Sequence, residues 1–533
     1  MTAESAAERR SGEPDRAIRP LGTRARPLLL AAVAVCAACG LVYELVLLTL
    51  SVTLAGGGVT ETSLIVAGFV AALGAGALLA KPLLGHAATA FVAVEILLGV
   101  AGGLSAATLY VAFSFQGTST AVLIAATAVL GILVGAEVPL LMTLLQRGRT
   151  TGDGAGDGAT GAGRLLADLN AADYAGAVVG GLVWPFLLLP LAGQIRGAAL
   201  TGMVNLVAAA VVAAFLLRTW MSRRARVAAA AALLAAAALL GVLLVQARDI
   251  EVSAQQRLYR DPVVAAQRTA YQQIVLTQRG DDVRLFLDGD LQFSSRDEHR
   301  YTESLVHPVL ARDPQRVLVL GGGDGLAARE LLRHPSVREV VQVELDPAVV
   351  ELARTRLAAL NAGALDDPRV RLVLADAFSW LRGSPPAAFD AVVVDLPDPD
   401  TPVLGRLYST EFYGLVARVL APGGSVTVQA GSPYSTPTAF WRTVRTVDSA
   451  GLAGRPYHVH VPSFGDWGFV LAAPGPVPPE LELSPSAPPL RFLDAEVLAA
   501  AAVFPRDRGP LDLEPSTLDR PLVVDDMRRG YQR

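Results

Sequence analysis

Before about residue 250 the chain is a succession of Ala/Val/Leu runs that carry almost no charge, and after it such runs stop. Roughly 20 consecutive apolar residues match the hydrocarbon core of a bilayer, so repeated runs of that length restrict the first half to a bundle of membrane helices. Hydropathy marks seven of them, at roughly 27–50, 60–80, 87–114, 119–145, 171–192, 197–217 and 226–246. The fifth is the weakest, because it opens on Asn170 and Asp173 and carries Pro185 and Pro190. The expectation is a multi-span α-helical membrane domain over 27–246, multi-pass in the cell membrane with the lipid bilayer as partner, behind a basic tail over 1–26. The run after Arg26 is too long for the apolar region of a secretory signal and ends in no small-residue cleavage site.

Cationic residues that flank the runs sort to one side. Arg9, Arg10, Arg16, Arg19, Arg24 and Arg26 share it with Lys81, Arg147, Arg149, Arg164, Arg218, Arg223, Arg224 and Arg226, leaving Arg196 alone on the other. The positive-inside bias then puts the N-terminus in the cytoplasm. Seven spans would carry the second half outside, in conflict with the cytosolic substrates it implies: either the span count is off by one or the second half faces out. Glu44, Glu95, Glu137 and Asp173 lie in apolar surroundings with no cation deep in another run to pair with them. Acids at that depth line a path for a cation or, hydrogen-bonded or protonated, fix helix packing alongside small-residue steps such as Gly176 to Gly180. Cys36 and Cys39 are too few for a disulfide framework or a four-ligand zinc site and read as packing residues. The Gly/Thr/Asp-rich segment 148–163 reads as a flexible loop.

From about residue 251 the pattern shortens. Gln273–Thr277 and Val283–Leu287, joined by the polar Gly280-Asp281-Asp282 turn, predict a hairpin in a small β-domain over 251–310. After Asp313-Pro314, strands at 317–320, 340–343, 370–374, 391–394 and 426–428 alternate with helices, which predicts a doubly wound, mostly parallel Rossmann-like α/β domain over 311–475. Residues 476–533, with a helical patch at Asp494–Val503, are read as a surface extension of that domain. A net charge of −4 supplies no basic field, so nucleic acid is excluded as the main partner.

Ligands of such sheets bind beyond the carboxyl ends of the strands. The first strand ends in Gly321-Gly322-Gly323-Asp324-Gly325, whose glycines permit a tight turn at a helix N-terminus. The second ends at Glu344, about 20 residues on, where an acid accepts hydrogen bonds from ribose hydroxyls. The third ends at Asp376, placed to accept from an exocyclic amine such as that of adenine. Together they favour an adenosine ligand. Asp324 is out of place in a pyrophosphate loop, since a carboxylate there prefers a cationic ligand. The fourth strand ends in Asp395-Leu396-Pro397-Asp398-Pro399. Asp324, Asp395 and Asp398 together suit a hard cation by ligand type, yet without a phosphate loop a polycationic organic ligand explains them better.

These residues resemble the polyamine aminopropyltransferases, the spermidine synthase family, and the leading apolar region resembles its membrane-bound bacterial branch. The resemblance covers 251–533 and runs in order through Tyr271-Gln272, Leu287-Asp288-Gly289, Gln292, Asp297-Glu298 with Tyr301 and Glu303, the Gly321–Gly325 loop, Glu344-Leu345-Asp346, Asp376-Ala377, Asp395 to Pro399, Pro422-Gly423-Gly424, and Phe464 with Gly468-Phe469. It implies a small β-domain on a methyltransferase-type domain. The implied reaction moves the aminopropyl group of decarboxylated S-adenosylmethionine to putrescine or a related diamine, giving spermidine and methylthioadenosine. It requires no metal or further cofactor, and a homo-oligomer is allowed for.

Carried over by position, Asp395 is the catalytic acid–base residue. Glu344 holds the ribose, Asp376 the adenine end, and Asp324 with Gln272 the aminopropyl arm, while Asp398 and Tyr271 place the diamine. Glu303 and Phe464 belong to the substrate-binding set. Thr302 stands where the family more often has His or Gln, and Phe464 where many members have Tyr, so the acceptor is less defined than the reaction class. His299, His307, His334, His458 and His460 lack ligand spacing and read as structural or solvated. Asp297 and Glu298 read as caps of the helix that follows, or as an active-site wall. Two competing readings are a polyamine transporter or sensor with a non-catalytic synthase-like half, and a methyltransferase using S-adenosylmethionine, which Asp324 disfavours because the cofactor's carboxylate would meet a like charge.

Overall fold

A computed structural model describes residues 25–55, 59–116, 120–147, 158–218 and 220–531 of the chain. The chain divides between Arg260 and Asp261 into two compact units. The expected basic tail lies outside the described residues up to residue 24, as do 148–157 of the expected loop; 158–163 instead open a helix.

The first unit is helical throughout: α1 (Ala25–Ala55), α2 (Val59–Leu79), α3 (Ala87–Gln116), α4 (Thr120–Arg147), α5 (Gly158–Val183), α6 (Leu189–Val211) and α7 (Arg223–Leu258). Six helices among the described residues are long and apolar enough to cross a membrane, where seven runs were expected. The fifth and sixth runs are joined in one helical stretch, Leu166–Phe215, because neither Pro185 nor Pro190 ends it. The stretch is interrupted at Gly193, whose backbone leaves the helical region (φ 73°, ψ −176°). Small residues set the contacts: a Cβ on Gly176 would meet the Ala34 carbonyl at 2.0 Å, and one on Gly180 the Ala38 carbonyl at 2.4 Å, so α5 lies directly on the α1 backbone. One apolar cluster gathers Leu29, Ala87, Leu144 and Leu217; the other gathers Leu50, Tyr110, Ile195 and Ala247. The start of α1 and the end of α7 therefore lie at opposite ends of the bundle.

The second unit begins about ten residues later than expected, since α7 continues to Leu258. Four antiparallel strands come first, β1 (Val263–Arg268), β2 (Gln273–Arg279), β3 (Asp282–Leu287) and β4 (Asp290–Ser294), in the order β1-β2-β3-β4. The sheet does not stand as a domain of its own. Ile274, Leu276, Leu285 and Phe293 share one apolar cluster with Leu326 and Val349 from the helices of the larger layer and with Leu357 just after them, so the strands bury their apolar face against that layer.

That larger layer is built on β5 (Arg316–Gly321), β6 (Glu339–Glu344), β7 (Val370–Leu374), β8 (Phe389–Asp395), β9 (Leu420–Gly431), β10 (Leu452–Val461) and β11 (Gly465–Pro474), in the order β10-β11-β9-β8-β5-β6-β7. β5 to β9 pair in parallel and β10 and β11 antiparallel, as a Rossmann-type sheet with an appended hairpin. Val317–Leu320 and Ala391–Val394 are fully buried, as strands covered on both faces must be. Register pairs Gly321 with Asp395 and Leu320 with Val343. The ends of β8, β5 and β6 thus stand side by side and bring Asp395, the glycine loop and Glu344 to one edge. Residues after 476 contribute Val523, Val524 and Met527 of the helix Leu522–Tyr531 to the main core, so this stretch is more than a surface extension.

Candidate active site

The loop after β5 is shaped by its neighbours. Gly321 has φ 83°, and a Cβ there would sit 2.0 Å from the Asp395 carbonyl oxygen; Gly322 donates its N–H to that carbonyl at 3.0 Å. A Cβ on Gly323 would lie 2.6 Å from Glu344 Oε2, so only glycine lets the ribose-type acid approach the loop. Buried Gln342 holds the loop from beneath by donating its side-chain amide to the Gly321 and Gly322 carbonyls. Asn361 donates to the Asp324 carbonyl at 2.8 Å.

Three carboxylates converge at this edge. Asp324 Oδ1 accepts from the Leu326 N–H at 2.8 Å, and desolvation with the nearby charge of Asp395 pushes its pKa up to about 7. Asp395 Oδ1 accepts from the Tyr301 hydroxyl at 2.6 Å, and desolvation raises its pKa to about 6 despite that bond. Asp398 accepts from Gln429 Nε2 at 3.3 Å and from the Tyr531 hydroxyl at 2.9 Å; desolvation carries it to about 6. Each remains half-buried rather than sealed. A set of desolvated acids, poised to ionise near neutrality and lacking a cationic partner in these bonds, is suited to receive a cation and to accept a proton from it.

The structure sorts the remaining candidates. Glu344 takes the Asp346 N–H on Oε1 at 2.9 Å and is raised by desolvation. Gln272 donates to Asp346 Oδ2 at 3.2 Å, on the Glu344 side of the loop rather than on Asp324. Asp376 caps the helix Ala377–Gly383 through the Ser379 N–H at 2.9 Å, and its other oxygen is ion-paired to Arg406, so an adenine amine there has to compete with or displace the guanidinium. Tyr271 is exposed and only its backbone N–H is engaged, to Thr269. Phe464 packs edge-on against the Tyr301 ring, 5.9 Å between centroids.

Glu303 has a different task from the one expected. It is fully buried and accepts the backbone N–H groups of Arg491, Phe492 and Leu493 at 2.8–3.0 Å, which ties down the chain after residue 490. Asp297 does not cap its helix by its side chain; it accepts from the Ser463 N–H (2.7 Å) and hydroxyl (2.9 Å), fixing the turn that carries Phe464. Glu298 pairs with Arg329 at 2.9 Å. Among the described residues no group of three His, Cys, Asp or Glu is arranged to hold a metal. His307 meets Glu330 at 3.2 Å and His458 meets Asp466 at 2.7 Å, in agreement with structural roles.

Sequence reasoning overlooked Tyr301 and Tyr531 as site residues. Tyr301 was within reach, since it lies four residues after Asp297 in a motif already singled out. Tyr531 carried no sequence signal, because its partner Asp398 is 133 residues away.

A family model described as the spermine/spermidine synthase domain matches residues 298–477. A polyamine aminopropyltransferase of Mycobacterium tuberculosis is 64% identical over 528 residues, which is 98% of this chain and 99% of that protein. Another, of Corynebacterium efficiens, is 56% identical over 511 residues, 95% of this chain and 97% of that protein. Among solved structures, spermidine synthase from Thermotoga maritima is 27% identical with a TM-score of 0.42, over 46% of this chain and 86% of that chain.

Proposed function

The chain belongs to the polyamine aminopropyltransferase family and is an enzyme of that class, and from that premise we propose that it transfers the aminopropyl group of decarboxylated S-adenosylmethionine to putrescine, giving spermidine and methylthioadenosine. The observation that carries this reading is Asp395 at the end of β8, desolvated, bonded by Tyr301 at 2.6 Å and flanked by Asp324 and Asp398.

In the proposed step an amine nitrogen attacks the propyl carbon bound to the sulfonium. The N–C bond forms as the C–S bond breaks, and the sulfur keeps the electron pair as a neutral thioether. The leaving group needs little assistance, whereas the nucleophile must be uncharged and in line. Asp395 accepts the proton that the attacking nitrogen sheds, with Tyr301 holding the carboxylate at one oxygen and leaving the other free. Asp398 receives the distal ammonium, Asp324 the amino end of the aminopropyl arm, and Glu344 the ribose hydroxyls. Ordinary S-adenosylmethionine is disfavoured because its carboxylate would face Asp324.

We further propose that the helical unit is embedded in the cell membrane. Large apolar side chains such as Leu64, Phe186, Leu191 and Val245 are 68–79% exposed on it, and an apolar surface of this kind is unfavourable in water. The test is to purify the full chain in detergent, supply decarboxylated or ordinary S-adenosylmethionine with a panel of diamines, and identify products by mass. Spermidine from putrescine and the decarboxylated donor is the expected result. A methylated product from the ordinary donor, or no product from either, contradicts the reading.

A further inference from the structure

The helix Leu522–Tyr531 lies beyond the stretch matched by the family model, and it reaches the carboxylates at the end of β8. It is pinned along its length. Val523, Val524 and Met527 are buried in the main core, Asp526 is ion-paired to buried Arg442, and Arg528 Nε donates to the Asp400 carbonyl at 2.6 Å. At Gly530 a Cβ would come within 2.5 Å of Thr436 Cγ2, so a larger residue would lift the last turn away.

Tyr531 is not needed to hold this helix. Its side chain is 57% exposed, and the polar contact of its hydroxyl is to Asp398 Oδ2 at 2.9 Å. The hydroxyl also lies in the field of Asp290 and Asp400. Asp290, on the first residue of β4, is crowded by the carboxylates of Asp400, Asp398 and Asp288. Acids from β3–β4 and from the segment after β8 thus surround the position to which Tyr531 donates. A carboxylate offers about four lone-pair positions; Gln429 and Tyr531 occupy one on each oxygen of Asp398, and the remainder are directed by those two bonds.

We propose that Tyr531 is a positioning residue for the amine acceptor: its hydroxyl orients the Asp398 carboxylate that receives the acceptor's distal ammonium, so the C-terminal helix takes part in choosing the acceptor. The inference rests on the aminopropyl-transfer reading of the site. Electrostatics agree with the geometry. The bonds from Tyr531 and Gln429 hold Asp398 below where desolvation and Asp400 alone would put it. Besides these, the groups that share a field with Asp398 are Tyr301 from the helix Glu298–Val306, Tyr408 from the segment after β8, and Asp290 from β4.

The test is steady-state kinetics on the full chain with decarboxylated S-adenosylmethionine and a series of diamines of increasing length. Tyr531→Phe keeps the ring and removes the donor. It is expected to raise the KM for putrescine about 3- to 10-fold, the range of one ordinary lost hydrogen bond, since the loss reaches the acceptor only through Asp398, with the KM for the donor and kcat held within about twofold. The acid limb of kcat/KM for the acceptor shifts to higher pH, because Asp398 loses a bond that favours its ionised form. Tyr531→Ala adds a flattened preference among diamine lengths. A structural role alone lowers the melting temperature and leaves acceptor KM, length preference and acid limb unchanged per active enzyme; that result overturns the proposal. A wild-type chain that releases no methylthioadenosine instead overturns the reading of the site, and this inference with it.

Discussion

Both units of the chain bury acids, and they do so in opposite ways. In the helical unit Glu95 is fully buried beside Cys36 and Asn205, and Glu137 is 5% exposed, its Oε1 without a hydrogen-bond partner among the described residues. In the second unit Asp324, Asp395 and Asp398 are half-buried, and each accepts at least one bond from a named donor while keeping acceptor capacity toward the open edge of the sheet. The same residue type is therefore closed off in one region and, in the other, oriented by named donors at an accessible edge. Orientation together with access separates a reactive carboxylate from one that merely sits in an apolar interior.

The largest expected effect separates the two regions by activity. Asp395→Asn is expected to lower kcat by about 10²- to 10⁴-fold, the usual span for a lost general base, while Glu95→Gln and Glu137→Gln leave the rate per folded enzyme unchanged. Initial-rate assays on purified full-length variants decide this, and equal losses from both regions would break the comparison. Next comes Gly323→Ala. The added Cβ would lie 2.6 Å from Glu344 Oε2 and must push that carboxylate aside. Displacement of about 1 Å typically costs up to about 100-fold, and here it should fall on kcat/KM for the adenosyl donor and leave acceptor KM near its wild-type value.

A smaller effect is expected in pH dependence. Asp324 at about 7 and Asp395 and Asp398 at about 6 must all be ionised in the free enzyme to bind cations. The profile of kcat/KM for the acceptor should therefore rise from pH 5 through pH 7, and neither bundle variant should move that limb. The smallest effect concerns stability. Asp395 is raised from 3.8 to about 6 on folding, so its contribution to stability is present below pH 3.8 and is lost as pH rises through 6. Asp395→Asn removes that loss. The inactive variant should melt higher than wild type at pH 8, with the difference fading toward pH 4, as calorimetry without substrates would show.

What could be read in the sequence was whatever is local or periodic. The strand ends at Gly321, Glu344 and Asp395 follow from alternating runs and turn residues, and the parallel sheet brings them together. The apolar runs likewise fell on helices, although no pattern signalled that 171–192 and 197–217 would join in a single stretch interrupted at Gly193. Pairings over long separations were not legible. Glu303 stands inside a motif read as substrate-binding, yet its carboxylate serves three backbone N–H groups almost 190 residues on. Gln272 faces Asp346 and Asp376 faces Arg406, partners that sequence spacing does not mark. Residue type identified the chemistry, and only the fold showed which carboxylates were already occupied.

The central claim is that Asp395 takes the proton of the attacking amine. Its most direct test is single-turnover release of methylthioadenosine from decarboxylated S-adenosylmethionine and putrescine, by the full-length wild type and by Asp395→Asn, each in excess over the donor and saturated with putrescine. The account expects the wild type to convert the bound donor in one fast phase and the variant to do so at least about 100-fold more slowly with the donor still bound. Equal single-turnover rates in the two proteins would contradict it.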